Sequence, residues 1–109
     1  TCALPIFEKE VKKLSKRYKS LKQDLTILAA ELMQNPDMGT DLGNGLHKVR
    51  MSIASKGKGK RGGARVITLI ATLSKEEKEI GLHFIYDKSE RENITDKELQ
   101  AVLKDNGII

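Results

Sequence analysis

GLHKVRMSIASKGKGKRGGARVITLI, residues 45–70, reads as two strands joined by a loop of lysines and glycines. Alternation begins at Leu46: His47, Val49, Met51 and Ile53 point one way, and Lys48, Arg50 and Ser52 the other. Ala64–Thr72 is apolar on both faces apart from Arg65 near its start, which is the pattern of a central strand. Ile80, Leu82, Phe84 and Tyr86 then alternate with Gly81, His83 and Ile85, predicting a third antiparallel strand. The loop between the first two strands, SKGKGKRGG at residues 55–63, exposes backbone N–H groups and mobile ammonium heads together. Residues 42–75 hold eight of the chain's twenty Lys and Arg and no acid, so the rest carries twelve bases against fifteen acids. The charge of +5 is therefore local, and it suits a polyanion such as a nucleic-acid backbone.

Upstream of this stretch the period is helical. Residues 1–6 are short and apolar, broken by Pro5, and read as a first strand or an arm. Phe7, Val11, Leu14 and Tyr18 then form one stripe, with Lys9, Lys12, Lys13, Lys16 and Arg17 on a solvated face. Ser20 and Gln23 have the spacing of a capping box, opening a second helix with Leu21, Leu25, Leu28 and Leu32 on its stripe. Asn35 and Pro36 end it, and residues 37–45, with three glycines, read as a connecting loop. Downstream, residues 74–79 are a charged turn and residues 87–93 a charged loop. Thr95 and Glu98 make a second capping box for a short helix that buries Leu99, Val102 and Leu103 and stops at Asn106 and Gly107. The predicted fold is α+β, with two N-terminal helices packed on a small antiparallel sheet and a short C-terminal helix.

At 109 residues the chain is expected to be a single domain, residues 1–109. No apolar run approaches a membrane span and no signal-peptide pattern opens the sequence, so a cytoplasmic location is the expectation. Cys2 is the only cysteine, which excludes an internal disulfide and a thiolate metal cluster. Trp is absent and there are two Tyr and two Phe, so a base-stacking platform must be small. His47 and His83 are far apart, without metal-ligand spacing, and read as core or sub-surface residues. No nucleotide P-loop occurs, since residues 57–63 lack the final Ser or Thr and a following helix. No cofactor is implied.

The remaining constellation is basic. Lys48 and Arg50, two apart on a strand, share a face about 7 Å apart. Arg65 opens the neighbouring strand, and Tyr86 and Lys88 end the next. A meander brings these ends together as a cationic patch with one aromatic ring. Such a patch can orient a ribose 2′-OH, take its proton through a lysine whose pKa its neighbours lower, and neutralise a phosphorane.

Residues 45–70, followed by HFIYDKSERENIT at residues 83–95, resemble the RelE/ParE superfamily of bacterial toxins. The nearest branch is HigB-like, with the pattern SKGKGKxGG-(A/S)-R-(I/V)-I and then IY-x-K-(S/N)-E. The resemblance implies a sheet with two N-terminal helices against it, ribosome-dependent cleavage of mRNA in the A site, and silencing by a cognate antitoxin. Lys48 and Arg50 match the family's paired strand bases for 2′-OH activation and phosphate contact. Arg65 matches the strand arginine that supports the scissile phosphate, and Lys88 lies in the basic segment after the last strand. Lys56, Lys58, Lys60 and Arg61 are the expected contacts to mRNA and to 16S rRNA on the ribosome. Two positions depart from the pattern: Ser89 stands where RelE has an arginine, and Thr95 where RelE has a stacking tyrosine. Tyr86 is the ring that remains, and the general acid is left unassigned. Two alternatives stay open, a ParE-like toxin that poisons gyrase and a non-catalytic basic RNA- or ribosome-binding protein.

Overall fold

A computed structural model describes residues 2–3, 5–43, 45–57, 59–72, 78–90 and 95–105. In chain order these form β1 (Cys2–Ala3), α1 (Pro5–Ser15), α2 (Leu21–Gln34), β2 (Thr40–Gly43), β3 (Leu46–Met51), a 3₁₀ turn (Ala54–Lys56), β4 (Ala64–Thr72), β5 (Lys78–Asp87) and α3 (Asp96–Asp105). The sheet runs β1-β5-β4-β3-β2, with β1 parallel to β5 and the other pairs antiparallel. The two N-terminal helices, antiparallel sheet and short last helix make the α+β fold that the periodicities predict. Helix α1 starts at Pro5, before the stripe becomes visible, because a proline at the first helical position gives up an N–H with no partner inside the helix.

Doubly apolar β4 lies at the centre of the sheet and supplies both faces. On one face Ala64 and Val66 join Val49, Met51 and Ile53 of the β3 segment beneath Phe7, Leu14, Leu21, Leu28 and Leu32 of the helices. Leu21, Leu28 and Leu32 are at most 1% exposed, and burial of each contributes roughly 1.5–3 kcal/mol. On the other face Ile67, Leu46 and Tyr86 pack together beside Leu99 of α3.

Three expectations are corrected. Residues 40–43 are not loop but the short edge strand β2, whose mostly exposed side chains carry no apolar alternation. The alternation of β5 is broken by a bulge: Ile67 pairs with Phe84 but Thr68 with Leu82, which leaves His83 as the extra residue. Ile80, Leu82 and Ile85 therefore face the helices, while Phe84 and Tyr86 face the other way. Ser20 does not form a capping box. Its hydroxyl donates to Asp24 and accepts the Ser55 N–H at 2.8 Å, so it ties the helix joint to the 3₁₀ turn.

The second box does form, with the Glu98 N–H donating to Thr95 Oγ1 at 3.1 Å and Glu98 Oε1 accepting the Thr95 N–H. Of the charged turn expected at residues 74–79, Lys78 and Glu79 are instead the first residues of β5. Residues 74–77, loop residues 91–93, the side chains of Val102 and Leu103, and the stop at residues 106–107 lie outside the described residues.

Candidate functional site

On the face away from the paired helices, the register aligns Arg50, Arg65 and Tyr86 across β3, β4 and β5. The neighbouring row is Lys48, Ile67 and Phe84. Lys48 is half-buried and Arg50 exposed, between the buried Val49 and Met51, as strand alternation requires. Strand β2 pairs opposite Lys48 through Thr40, and no register pair extends it to Arg50. A cleft of about 250 Å³ opens there, lined by Met38, Gly39, Thr40, Lys48, Val49, Arg50 and Lys60. Three of these side chains are cations and none is an acid. Gly39 makes the close wall possible, because a Cβ there would lie 2.5 Å from the Lys48 carbonyl oxygen and its φ is +95°.

The lysine loop is held by hydrogen bonds at both of its ends. Arg65 is 5% exposed, and its guanidinium donates to the carbonyls of Lys60 (2.9 Å), Arg61 (3.0 Å) and Ala64 (3.1 Å). Gly63 accepts the Lys88 N–H at 3.1 Å and sits so close to β3 that a Cβ would meet the Met51 carbonyl oxygen at 2.0 Å. At the other end Asp24, buried in α2, accepts the Ala54 N–H at 3.1 Å and holds the start of the 3₁₀ turn.

Lys56 is a correction. Expected as a phosphate contact, it turns inward and pairs with Asp87 at 2.6 Å, its side chain 8% exposed. Asp87 is fully buried and also accepts the Tyr18 hydroxyl at 2.5 Å and the Ser89 N–H at 2.9 Å. Burial by itself would raise the Asp87 pKa, but Lys56, Tyr18 and the Ser89 N–H outweigh it and hold the carboxyl down at about 2. The Tyr18 hydroxyl is correspondingly pushed up by that hydrogen bond, with burial adding to it.

Tyr86 is a second correction. Its ring is 4% exposed and packed with Leu46 and Ile67, so it presents no stacking face to a base. Thr95 spends its hydroxyl on the cap of α3. Lys60 and Arg61 are exposed, Lys60 reaching Glu31 at 3.3 Å, and Lys88 is half-buried. Lys58 lies outside the described residues. Both histidines are buried, and burial lowers the pKa of His83. Among the described residues no three His, Cys, Asp or Glu side chains converge on a metal position, and no helix is long and apolar enough to cross a membrane.

Sequence reasoning passed over Asp24 and Asp87, and it read Tyr18 only as part of an apolar stripe. Asp24 had a signal, since it falls between Leu21 and Leu28 on the buried stripe at spacings of three and four. Asp87 had only its place between Tyr86 and Lys88 at a strand end.

The family model described as the RelE toxin of the RelE/RelB toxin–antitoxin system matches residues 5–107. That span takes in every element from α1 to α3, the cationic row and the whole lysine loop. With nearly its full length matched, the chain belongs to the RelE toxin family, the toxin half of a toxin–antitoxin system.

Proposed function

We propose that this chain is a HigB-like mRNA endonuclease that acts on the translating ribosome and is silenced by a cognate antitoxin covering the cationic cleft. The observation that carries the reading is the cleft itself: Lys48, Arg50 and Lys60 line it without a carboxylate, and Arg65 stands beside Arg50. Cleavage of a phosphodiester by its own 2′-OH needs this charge. The 2′-oxygen attacks phosphorus as its proton leaves, the bond to the 5′-oxygen breaks, and that oxygen takes up a proton. The products are a 2′,3′-cyclic phosphate and a 5′-hydroxyl.

In this reading Lys48 and Arg50 orient the 2′-OH and contact the phosphate, and Arg65 supports the developing dianion from the next strand. Lys88 adds charge at the end of β5. Lys60 and Arg61 contact mRNA or 16S rRNA phosphates and read no sequence. Residues 1–109 form one toxin domain, at work in the cytoplasm where ribosomes are.

Purified protein added to ribosomes programmed with a defined mRNA tests this directly. Cleaved mRNA with a 5′-hydroxyl end is the expected result. Intact mRNA alongside lost gyrase supercoiling would assign the chain to the ParE-like alternative, and neither effect would leave a basic binding protein.

A further inference from the structure

Asp87 joins three parts of the chain at one carboxylate. Its Oδ1 accepts from Lys56 at the start of the lysine loop and from the Ser89 N–H beyond β5. Its Oδ2 accepts from Tyr18 in the joint between α1 and α2. The Lys56 ammonium lies 5.7 Å from the centre of the Tyr18 ring, as does the Arg17 guanidinium, and Arg17 pairs with Glu90. A buried ion pair is weak ground for stability, because desolvation offsets the attraction, but it does fix geometry. What it fixes here lies beside the cleft. Arg65 grips the loop at the carbonyls of Lys60 and Arg61, and Asp87 grips it at Lys56, so only a few residues run between the two anchors.

We propose that Asp87 is a positioning residue: by holding Lys56 it fixes the near end of the lysine loop, so that Lys60 stands in the cleft with Lys48 and Arg50. The inference rests on the RNA-cleaving reading. Misplacing groups around a reacting centre by about 1 Å lowers a rate on the order of 10²-fold, whereas attraction of a polyanion tolerates such shifts. Loss of Asp87 therefore acts on the chemical step more than on binding.

The test is single-turnover cleavage on programmed ribosomes across a range of toxin concentrations, with amide exchange of residues 59–63 measured in the free protein. Asp87→Asn is expected to lower the maximal rate about tenfold or more, on the same argument from placement. The half-saturating concentration should move by less than about threefold, since Lys60 and Arg61 remain. Exchange in the loop should quicken while that of β4 holds. Lys56→Met leaves Asp87 its Tyr18 and Ser89 partners and carries the same expectation should Asp87→Asn not fold. The double variant, which leaves no unpaired ion, should stay slow.

Parental maximal rate in either folded single variant overturns the proposal, and so does recovery of that rate in the double variant. Unchanged loop exchange overturns the anchor whatever the parent does to RNA. A parent protein that cuts nothing overturns the nuclease reading instead.

Discussion

Arg50 and Arg65 stand directly opposite each other on β3 and β4, two like charges at a position where sheets ordinarily pair opposite ones. Burial pushes the Arg65 guanidinium below its usual range, and the charge of Arg50 adds to the effect. Such a pair opposes folding and favours a bound anion. Arg50→Gln is therefore expected to stabilise the free protein by roughly 0.2–1 kcal/mol. The same change should lower cleavage on the order of 10²-fold. Urea unfolding beside single-turnover cleavage checks both halves. A less stable variant would mean that Arg50 holds the sheet together rather than a phosphate.

The parts of this architecture that were legible in the sequence are those written by burial. Leu21, Leu28 and Leu32 announce α2 because one face of a helix must be apolar. Residues 64–68 announce a central strand because both faces are covered. Edge strand β2 has neither constraint, and Thr40, Asp41 and Gly43 are exposed. The bulge at His83 leaves no periodic trace, so it misassigns the faces of Leu82 and Phe84. Within the site, strand alternation placed Lys48 and Arg50, but the contacts of the loop are long-range. Lys56 meets Asp87 across 31 positions and Tyr18 meets it across 69, and no local pattern encodes that.

Acid should destabilise the fold in two steps. His83 is 3% exposed and its pKa is lowered by burial, so the unfolded chain binds its proton more readily. Stability from this source is lost as pH falls below the ordinary imidazole value of about 6.5. Asp87, held at about 2, contributes stability above its unfolded value of 3.8 that is lost as pH falls from there towards about 2. A difference of nearly two units corresponds to roughly 2 kcal/mol. Unfolding followed from pH 8 to pH 2 should show His83→Leu lacking the upper step and Asp87→Asn lacking the lower one. A single step unaltered in both variants would remove these two groups from the account.

Salt dependence should separate the loop's cations. Lys60 and Arg61 face solvent, and each replacement by Gln is expected to flatten the slope of log K against log salt for ribosome binding by about one. Lys56, committed to Asp87, should leave the slope unchanged when replaced and cost stability instead. Binding titrations at four or five salt concentrations suffice. A Lys56→Gln slope flattened as much as that of Lys60→Gln would show that the Asp87 pair opens on the ribosome.

Arg65 supplies the sharpest test, because the structure gives it a structural role beside the proposed catalytic one. Arg65→Ala removes two hydrogen bonds to the loop carbonyls of Lys60 and Arg61 and one to the Ala64 carbonyl, together with the charge behind Arg50. Cleavage should fall on the order of 10²-fold or more, and stability by roughly 1–3 kcal/mol. Arg65→Lys keeps the charge, but one ammonium cannot span the carbonyls of Lys60, Arg61 and Ala64 as a planar fork does. It should therefore recover part of the rate and little of the loop's order. The two roles separate in measurements made well below the unfolding midpoint of each variant. If folded Arg65→Ala cuts mRNA as fast as the parent, Arg65 holds the loop and lends nothing to the phosphate. If Arg65→Lys restores the rate while loop amides still exchange quickly, the charge alone is what the chemistry uses.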